Sequence, residues 1–439
     1  MSFKWRNVPR PILESLIRKT SSGSYGLEYS KAECAPLIEA GCIYESGTIY
    51  LDRFYTQMKQ LEKLAQARSS LKAVEIPRSG QTDPRLNEEQ KKALEAIFKT
   101  PTLLLQGGPG SGKTFTISCL IPLFVASFEP IFQRKPRILI AAQTAKAVHH
   151  LAKQIPKGAM EQIDVETLHR VLRISKGLKA PLKTVVDHDL IIVDESSMID
   201  GDMMNLFLKS LKPTSRVIFL GDPRQLPPIE GGAPFKWLLQ SKLFPTHFLP
   251  GSMRAENKEL IDQANRLFDG VMPTTRSLES FQLEKILSRF DQPVDLRPTP
   301  NFSSRYKILS SMRVGPHGSV ELSNRIFNLL KEQKGRYLLV PIMITQNSDP
   351  MQLYNGQEGV HLFDKKGAEQ LAYFPHLENP IALMLLPPYE ISYAISIHKS
   401  QGSEYEEVDI LLPSSKEPLL TEHLYTAMTR AKKAFCLFS

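Results

Sequence analysis

The chain has 439 residues, more than one ordinary domain of roughly 100–200 residues holds, so two to four domains are expected. Its composition is that of a globular protein, 42% hydrophobic and 23% charged, with no uninterrupted apolar run of the ~18 residues that a membrane-spanning helix needs. Lys and Arg exceed Asp and Glu, 55 to 46, leaving a net charge of +9 that is compatible with a polyanionic partner and does not by itself require one. The N-terminal stretch MSFKWRNVPRPILESLIRKT has no apolar signal core followed by a small-residue cleavage site. Cys34, Cys42, Cys119 and Cys436 show neither paired metal-ligand spacing nor a disulfide pattern. From these features a cytoplasmic protein is expected, away from membranes, with its cysteines as small packing residues.

In chain order, residues 1–80 mix short helical patterns with Gly/Ser breaks. The segment YTQMKQLEKLAQARSSL sets Met58, Leu61, Leu64 and Leu71 at helical spacing, which predicts a small helical N-terminal module suited to partner docking. IPRSGQTDPR (76–85) reads as a linker. From 81 to 250 the pattern becomes apolar runs alternating with helices: TLLLQG (102–107), RILIAA (137–142), LIIVDE (190–195) and RVIFLGD (216–222). Continuous apolar strands between helices predict a parallel sheet covered on both faces, hence an α/β core. A second set over 251–439 offers YLLVPIMITQN (337–347), ISYAISIH (391–398), VDILLP (408–413) and AFCLFS (434–439) as strands of a second α/β domain. A Gly/Pro-punctuated stretch near 354–390 predicts a small β insertion within it.

The strongest motif is Gly107-Gly108-Pro109-Gly110-Ser111-Gly112-Lys113-Thr114, lying between an apolar strand and a helical stretch. This is the phosphate-loop pattern: glycines let successive N–H groups turn toward phosphate oxygens, and the helix N-terminus adds partial positive charge. Lys113 is expected to reach the β- and γ-phosphates of ATP and Thr114 to offer its hydroxyl to Mg²⁺. In LIIVDESSM an apolar strand ends in two carboxylates, Asp194 for the Mg²⁺ shell and Glu195 to polarise the attacking water. After a third strand, GDPRQLPP (221–228) sets the polar Gln225 near the expected γ-phosphate edge.

With these motifs in this order, the chain resembles superfamily 1 helicases, and several segments are similar to the RecD subunit of RecBCD (exonuclease V) complexes. They are LNEEQKKAL (86–94), VETLHRVL (165–172), YNGQEGV (354–360), IHKSQGSEYEEV (397–408) and LYTAMTRAKK (424–433). The resemblance implies tandem RecA-like P-loop domains with a small SH3-like β insertion in the second. It makes Gln90 an adenine contact, Gln225 a sensor coupling nucleotide state to nucleic acid, and Arg254 and Arg430 the arginines that stabilise transition-state charge. Such a guanidinium can be worth ~10³–10⁵ in rate. HFLPGSMRAENKEL, which contains Arg254, lacks the Arg-Gln pair of the nearest relatives. Gln401, Gly402 and Glu404 match the motif that bridges nucleotide and strand. Thr144, Lys146, Thr167, His169, His398, Lys399 and Ser400 are expected on the nucleic-acid side, where hydroxyls and amines hold a backbone without reading its bases.

The implied function is an ATP-dependent DNA helicase that moves on single-stranded DNA, 5′ to 3′, as a RecD-like subunit beside RecB-like and RecC-like proteins. A stand-alone RecD-like helicase is the near alternative. A non-translocating regulatory ATPase subunit has no physical need of the full hydrolytic set Lys113, Asp194, Glu195 and Arg430. An unrelated P-loop kinase or transporter ATPase would not need Gln401 and Arg430 in a second α/β domain. No acidic cluster beyond the Asp194–Glu195 pair suits two-metal nuclease chemistry.

Overall fold

The computed structural model describes residues 10–21, 23–152, 154–155, 163–174, 184–251, 258–290, 302–333, 336–367, 370–412 and 420–439. The chain divides into two compact units, Met1–Met253 and Arg254–Ser439.

The first unit begins with the helix Arg10–Ser21 and a small antiparallel sheet of β1 (Gly26–Glu28), β2 (Ile43–Glu45) and β3 (Thr48–Tyr50), in the order β1-β3-β2. The helix Asp52–Ser69 follows. The helical N-terminal module therefore also contains strands, each of three residues, too short to show alternation in the sequence. The module is fastened to the rest of the unit through Arg68, which is buried without a carboxylate. Its guanidinium donates to Thr102 Oγ1 (2.7 Å) and to the carbonyls of Ser215 (2.7 Å) and Pro101 (3.0 Å). Burial among neutral acceptors lowers its pKa to about 10. The expected linker is irregular and packed rather than free. Ile76 is buried, Ser79 N donates to Ser127 Oγ at 2.8 Å, and Arg216 donates to the carbonyl of Val74.

The main sheet of this unit holds β4 (Thr102–Gln106), β5 (Ile138–Ala142), β6 (Ile163–Thr167), β7 (Leu190–Asp194), β8 (Arg216–Gly221) and β9 (Thr246–Phe248). Their order is β6-β5-β7-β8-β4-β9 and every pairing is parallel. The four apolar runs named from the sequence are β4, β5, β7 and β8; β6 and β9 were not legible, being short and polar (IDVET, THF). Apolar layers cover both faces. One includes Ile97, Ile117, Phe124 and Leu151, the other Phe207, Phe235 and Leu238. The helix Lys113–Phe132 is long and apolar enough by composition to cross a membrane, but Ile117, Leu120, Ile121 and Phe124 are buried in the first of these layers.

The second unit has two sheets. Its parallel sheet contains β10 (Tyr306–Ser310), β16 (Ala394–Ser396), β17 (Tyr405–Leu411) and β18 (Ala431–Phe438), ordered β16-β10-β17-β18. Between β10 and β16 the chain builds an antiparallel sheet from β11 (Tyr337–Ile344), β12 (Glu358–Asp364), β13 (Gln370–Tyr373), β14 (Ile381–Ala382) and β15 (Tyr389–Ile391), ordered β14-β13-β12-β11-β15. The tandem RecA-like arrangement thus stands on one parallel sheet per unit, with a β insertion in the second. One strand changed place: YLLVPIMI forms β11, but in the antiparallel sheet. Its last six residues are buried, so it reads like a core strand of a parallel sheet. The central strand β10 was not foreseen, because Lys307 interrupts its apolar run.

Candidate nucleotide and nucleic-acid site

Strand register brings the first unit's motifs to one edge. Gln106 pairs with Gly221, Val193 with Phe219, and Ala142 with both Asp194 and Thr167. The carboxyl ends of β4, β8, β7, β5 and β6 therefore finish nearly level, and the residues following them share the edge where open parallel sheets bind ligands. On that edge lie the phosphate loop after β4, Asp222 and Gln225 after β8, Asp194 and Glu195 at β7, Thr144 after β5 and Thr167 closing β6.

The loop is built for close backbone approach. Gly110 (φ 74°) and Gly112 (φ 84°) take left-handed conformations, and a Cβ on Gly107 would stand 2.5 Å from Ser111 Oγ. Lys113 donates to the carbonyls of Gly107 (2.5 Å) and Gly108 (3.1 Å), so the ammonium is held over the loop it serves. Ser111 is buried with its hydroxyl unpartnered. Thr114 is half-buried in the first turn of the following helix.

Asp194 accepts the backbone N–H of Glu195 at 2.8 Å. Its burial raises its carboxyl pKa, against the opposing pull of that N–H and of the Lys113 charge. Glu195 is in the left-handed region (φ 50°, ψ 41°), uncommon for a non-glycine residue. The turn is held by Ser196 Oγ donating to Val193 O (2.9 Å) and Met198 N donating to Glu195 O (3.0 Å). Left-handed residues cost free energy and gather at functional sites, where they redirect a side chain that a continuing strand would point elsewhere. The hydroxyl of Thr114 and the carboxylate of Asp194 are hard oxygen donors of the kind Mg²⁺ takes in ones and twos beside phosphates. Among the described residues no group of three or more His, Cys, Asp or Glu forms a site that would hold a metal unaided.

Gln90 is fully buried and half engaged. Asn87 and Gln90 make a reciprocal cap of the helix Glu88–Lys99: Gln90 N donates to Asn87 Oδ1 (2.8 Å) and Asn87 N donates to Gln90 Oε1 (3.0 Å). That leaves Gln90 Nε2 as an unpartnered buried donor. The N-x-x-Q spacing of a capping box stands in the sequence beside the pattern that implies the adenine role. Gln225, also buried, sets Nε2 3.5 Å from Asp222 Oδ2, and its Oε1 has no partner. Asp222 was missed as well. It also accepts Arg224 N at 3.0 Å, and so shapes the turn that carries Gln225.

The residues expected on the nucleic-acid side divide. Thr144 and Thr167 are helix caps, accepting Ala147 N (3.2 Å) and Arg170 N (3.4 Å); each hydroxyl keeps its hydrogen to donate. Lys146 is half-buried and His169 exposed.

In the second unit, Tyr405 pairs with Ala431, which sets Gln401, Gly402 and Glu404, preceding β17, and Arg430, preceding β18, at the amino edge of the parallel sheet. Gly402 has φ 70°. Gln401 keeps an unpartnered buried Nε2, and Glu404 pairs with Lys432 at 3.4 Å. Arg430 is buried and oriented from three sides: it donates to Thr426 O (3.0 Å), Ser403 O (3.1 Å) and Thr429 Oγ1 (3.3 Å). His398 packs edge-on to His423 with ring centroids 5.2 Å apart, Lys399 Nζ meets Glu390 Oε1 at 2.5 Å, and Ser400 is buried, donating to Ile397 O at 2.6 Å. Arg254 lies outside the described residues.

The AAA domain family matches residues 85–284 and the UvrD-like helicase C-terminal domain family matches 392–437. The RecBCD enzyme subunit RecD of Mycobacterium tuberculosis is 28% identical over 444 aligned residues, 89% of this chain and 76% of that protein. The RecD of Haemophilus influenzae is 26% identical over 80% of this chain and 68% of its own length. Over most of its length the chain is similar to RecD subunits. The ATP-dependent RecD2 DNA helicase of Deinococcus radiodurans is also similar to this RecD-like chain, at 27% identity over 80% of it but only 48% of that longer protein. A solved Pif1 helicase from Bacteroides, in complex with ADP-AlF3 and ssDNA, aligns with 81% of the chain and 92% of its own at a TM-score of 0.48 and 18% identity.

Proposed function

We propose that this chain is an ATP- and Mg²⁺-dependent DNA helicase that translocates 5′ to 3′ on single-stranded DNA as the RecD-like subunit of a RecBCD-type recombination and repair complex in the cytoplasm, beside RecB-like and RecC-like partners. The observation that carries the ATPase part is the level row of Lys113, Asp194 and Gln225 on one sheet edge. In this reading Lys113 leaves the carbonyls of Gly107 and Gly108 for the β- and γ-phosphates. Thr114 and Asp194 hold Mg²⁺, which supplies charge neutralisation on the phosphates. Glu195 takes the proton of the attacking water, and the Arg430 guanidinium meets the charge that develops on the transferred phosphoryl group. Gln90 Nε2 donates to the adenine. Gln401, Gly402, Glu404 and Gln225 link the nucleotide to the strand, and Thr144, Lys146, Thr167, His169, His398, Lys399 and Ser400 lie along it.

The subunit reading is preferred over a stand-alone helicase because RecD subunits are similar over more of the chain, 28% identity over 89% of it in Mycobacterium tuberculosis against 27% over 80% for RecD2. Unwinding assays on duplexes carrying a 5′ or a 3′ single-stranded tail test the direction. ATP-dependent opening of the 5′-tailed duplex alone is expected; preferential opening of the 3′-tailed duplex contradicts the assignment.

A further inference from the structure

The YNGQEGV block, marked out in the sequence, has no part in the roles above. Within it Glu358 opens β12 of the antiparallel sheet and is nearly buried. Its Oε2 lies 2.7 Å from Nζ of Lys307, whose side chain is 1% exposed on β10, the inner strand of the parallel sheet. Glu358 Oε1 accepts the hydroxyl of Tyr405 at 2.7 Å. Lys307 Nζ also donates to Ser392 O (2.8 Å) and sits 5.3 Å from the centre of the Tyr405 ring. A buried ion pair is weak evidence for stability, since apolar residues of like volume often serve as well. What this one adds is fixed geometry between two sheets.

The far end of the network is Arg430. Tyr405 is the first residue of β17; its N–H donates to Arg430 O at 2.8 Å, and two residues earlier Ser403 O accepts from Arg430 Nη1 at 3.1 Å. The Tyr405 side chain thus anchors the strand end whose backbone grips Arg430 at both its carbonyl and its guanidinium. The β17–β18 register shifts between Tyr405 and Glu407, so regular pairing alone does not fix this corner.

We propose that Tyr405, anchored by Glu358 of the β insertion, is a positioning residue for Arg430 and couples the placement of the insertion to ATP hydrolysis. This rests on the reading of Arg430 as the arginine that stabilises transition-state charge. The test is a double-mutant cycle on the full chain, read as steady-state ATP hydrolysis with saturating oligo-dT. Tyr405→Phe and Glu358→Ala are expected to lower kcat about tenfold with KM for ATP within about twofold. Glu358→Gln keeps an acceptor for the tyrosine and is expected to retain kcat within about threefold while its Tm falls. In an Arg430→Ala background, Tyr405→Phe is expected to cause no further loss. If Tyr405→Phe lowers Tm but not kcat, or if its effect on kcat multiplies with that of Arg430→Ala, the proposal is overturned and the network is only structural. If Arg430→Ala itself leaves kcat unchanged, the reading of Arg430 fails and the proposal with it. Titration of mant-ADP with and without aluminium fluoride needs no turnover: Tyr405→Phe is expected to weaken the fluoroaluminate complex alone, and equal affinities for both proteins contradict the proposal.

Discussion

Lys113 and Gln90 are both held by internal hydrogen bonds, and in each case the partner tells what the residue has left to offer. Lys113 sits on two neutral carbonyls of its own loop, a resting place that a phosphate oxygen can outcompete, because the phosphate adds a full opposite charge to the ammonium's hydrogen bond. Gln90 has committed its oxygen to Asn87 N and keeps only its amide donor. Gln90→Glu retains the oxygen of the capping box and removes the donor. It is therefore expected to raise the KM for ATP about tenfold, the worth of ~1.4 kcal/mol, while Tm falls modestly by the cost of burying a carboxyl group in place of an amide. Measured KM and melting curves check this; a large fall in Tm with unchanged KM would make Gln90 a cap and nothing more. His423 gives a second test. Burial, with His398 beside it, pushes its pKa down to about 4. The unfolded chain takes up this proton near pH ~6.5 while the folded chain resists it, so the associated stability is complete above that pH and is lost as pH falls toward 4. Between pH 7 and 5 the Tm of the parent should fall more steeply than that of His423→Gln; parallel curves would contradict the assignment.

At the scale of elements, what was legible had a local cause. The phosphate loop, the strand ending in Asp194–Glu195 and the block bearing Arg430 announce themselves because glycine conformations and strand-end carboxylates are written in consecutive residues. β10 and the true home of β11 were not legible, because a long-range pair decides them: Lys307 can lie in a core strand only because Glu358, 51 residues later, is there to meet it. The polar ends of the N-terminal module are similar. Nothing near Arg68 says that its partners are Thr102, Pro101 and Ser215, yet they are what seat the helix Asp52–Ser69. Arg68→Leu strips hydrogen bonds from buried acceptors, each worth roughly 1–3 kcal/mol, with part of that offset because burying the arginine was itself costly. A net loss of ~2–4 kcal/mol is expected in chemical denaturation. A loss below ~0.5 kcal/mol would mean that the module is seated by its apolar contacts alone.

For the whole molecule, the two units make different contributions. The first carries Lys113, Asp194 and Gln225 at the carboxyl edge of its sheet; the second carries an arginine held on three sides at the amino edge of its own. Similarity to RecD over 89% of the chain spans both units. The central claim is that this chain turns over ATP in response to single-stranded DNA, and it is tested most directly by steady-state ATP hydrolysis of the purified chain with and without an oligonucleotide, beside Lys113→Ala. The account predicts strong stimulation by the oligonucleotide and a fall of at least ~10²-fold on substitution, the scale of removing one transition-state donor. Hydrolysis indifferent to DNA, or undiminished in Lys113→Ala, would contradict it.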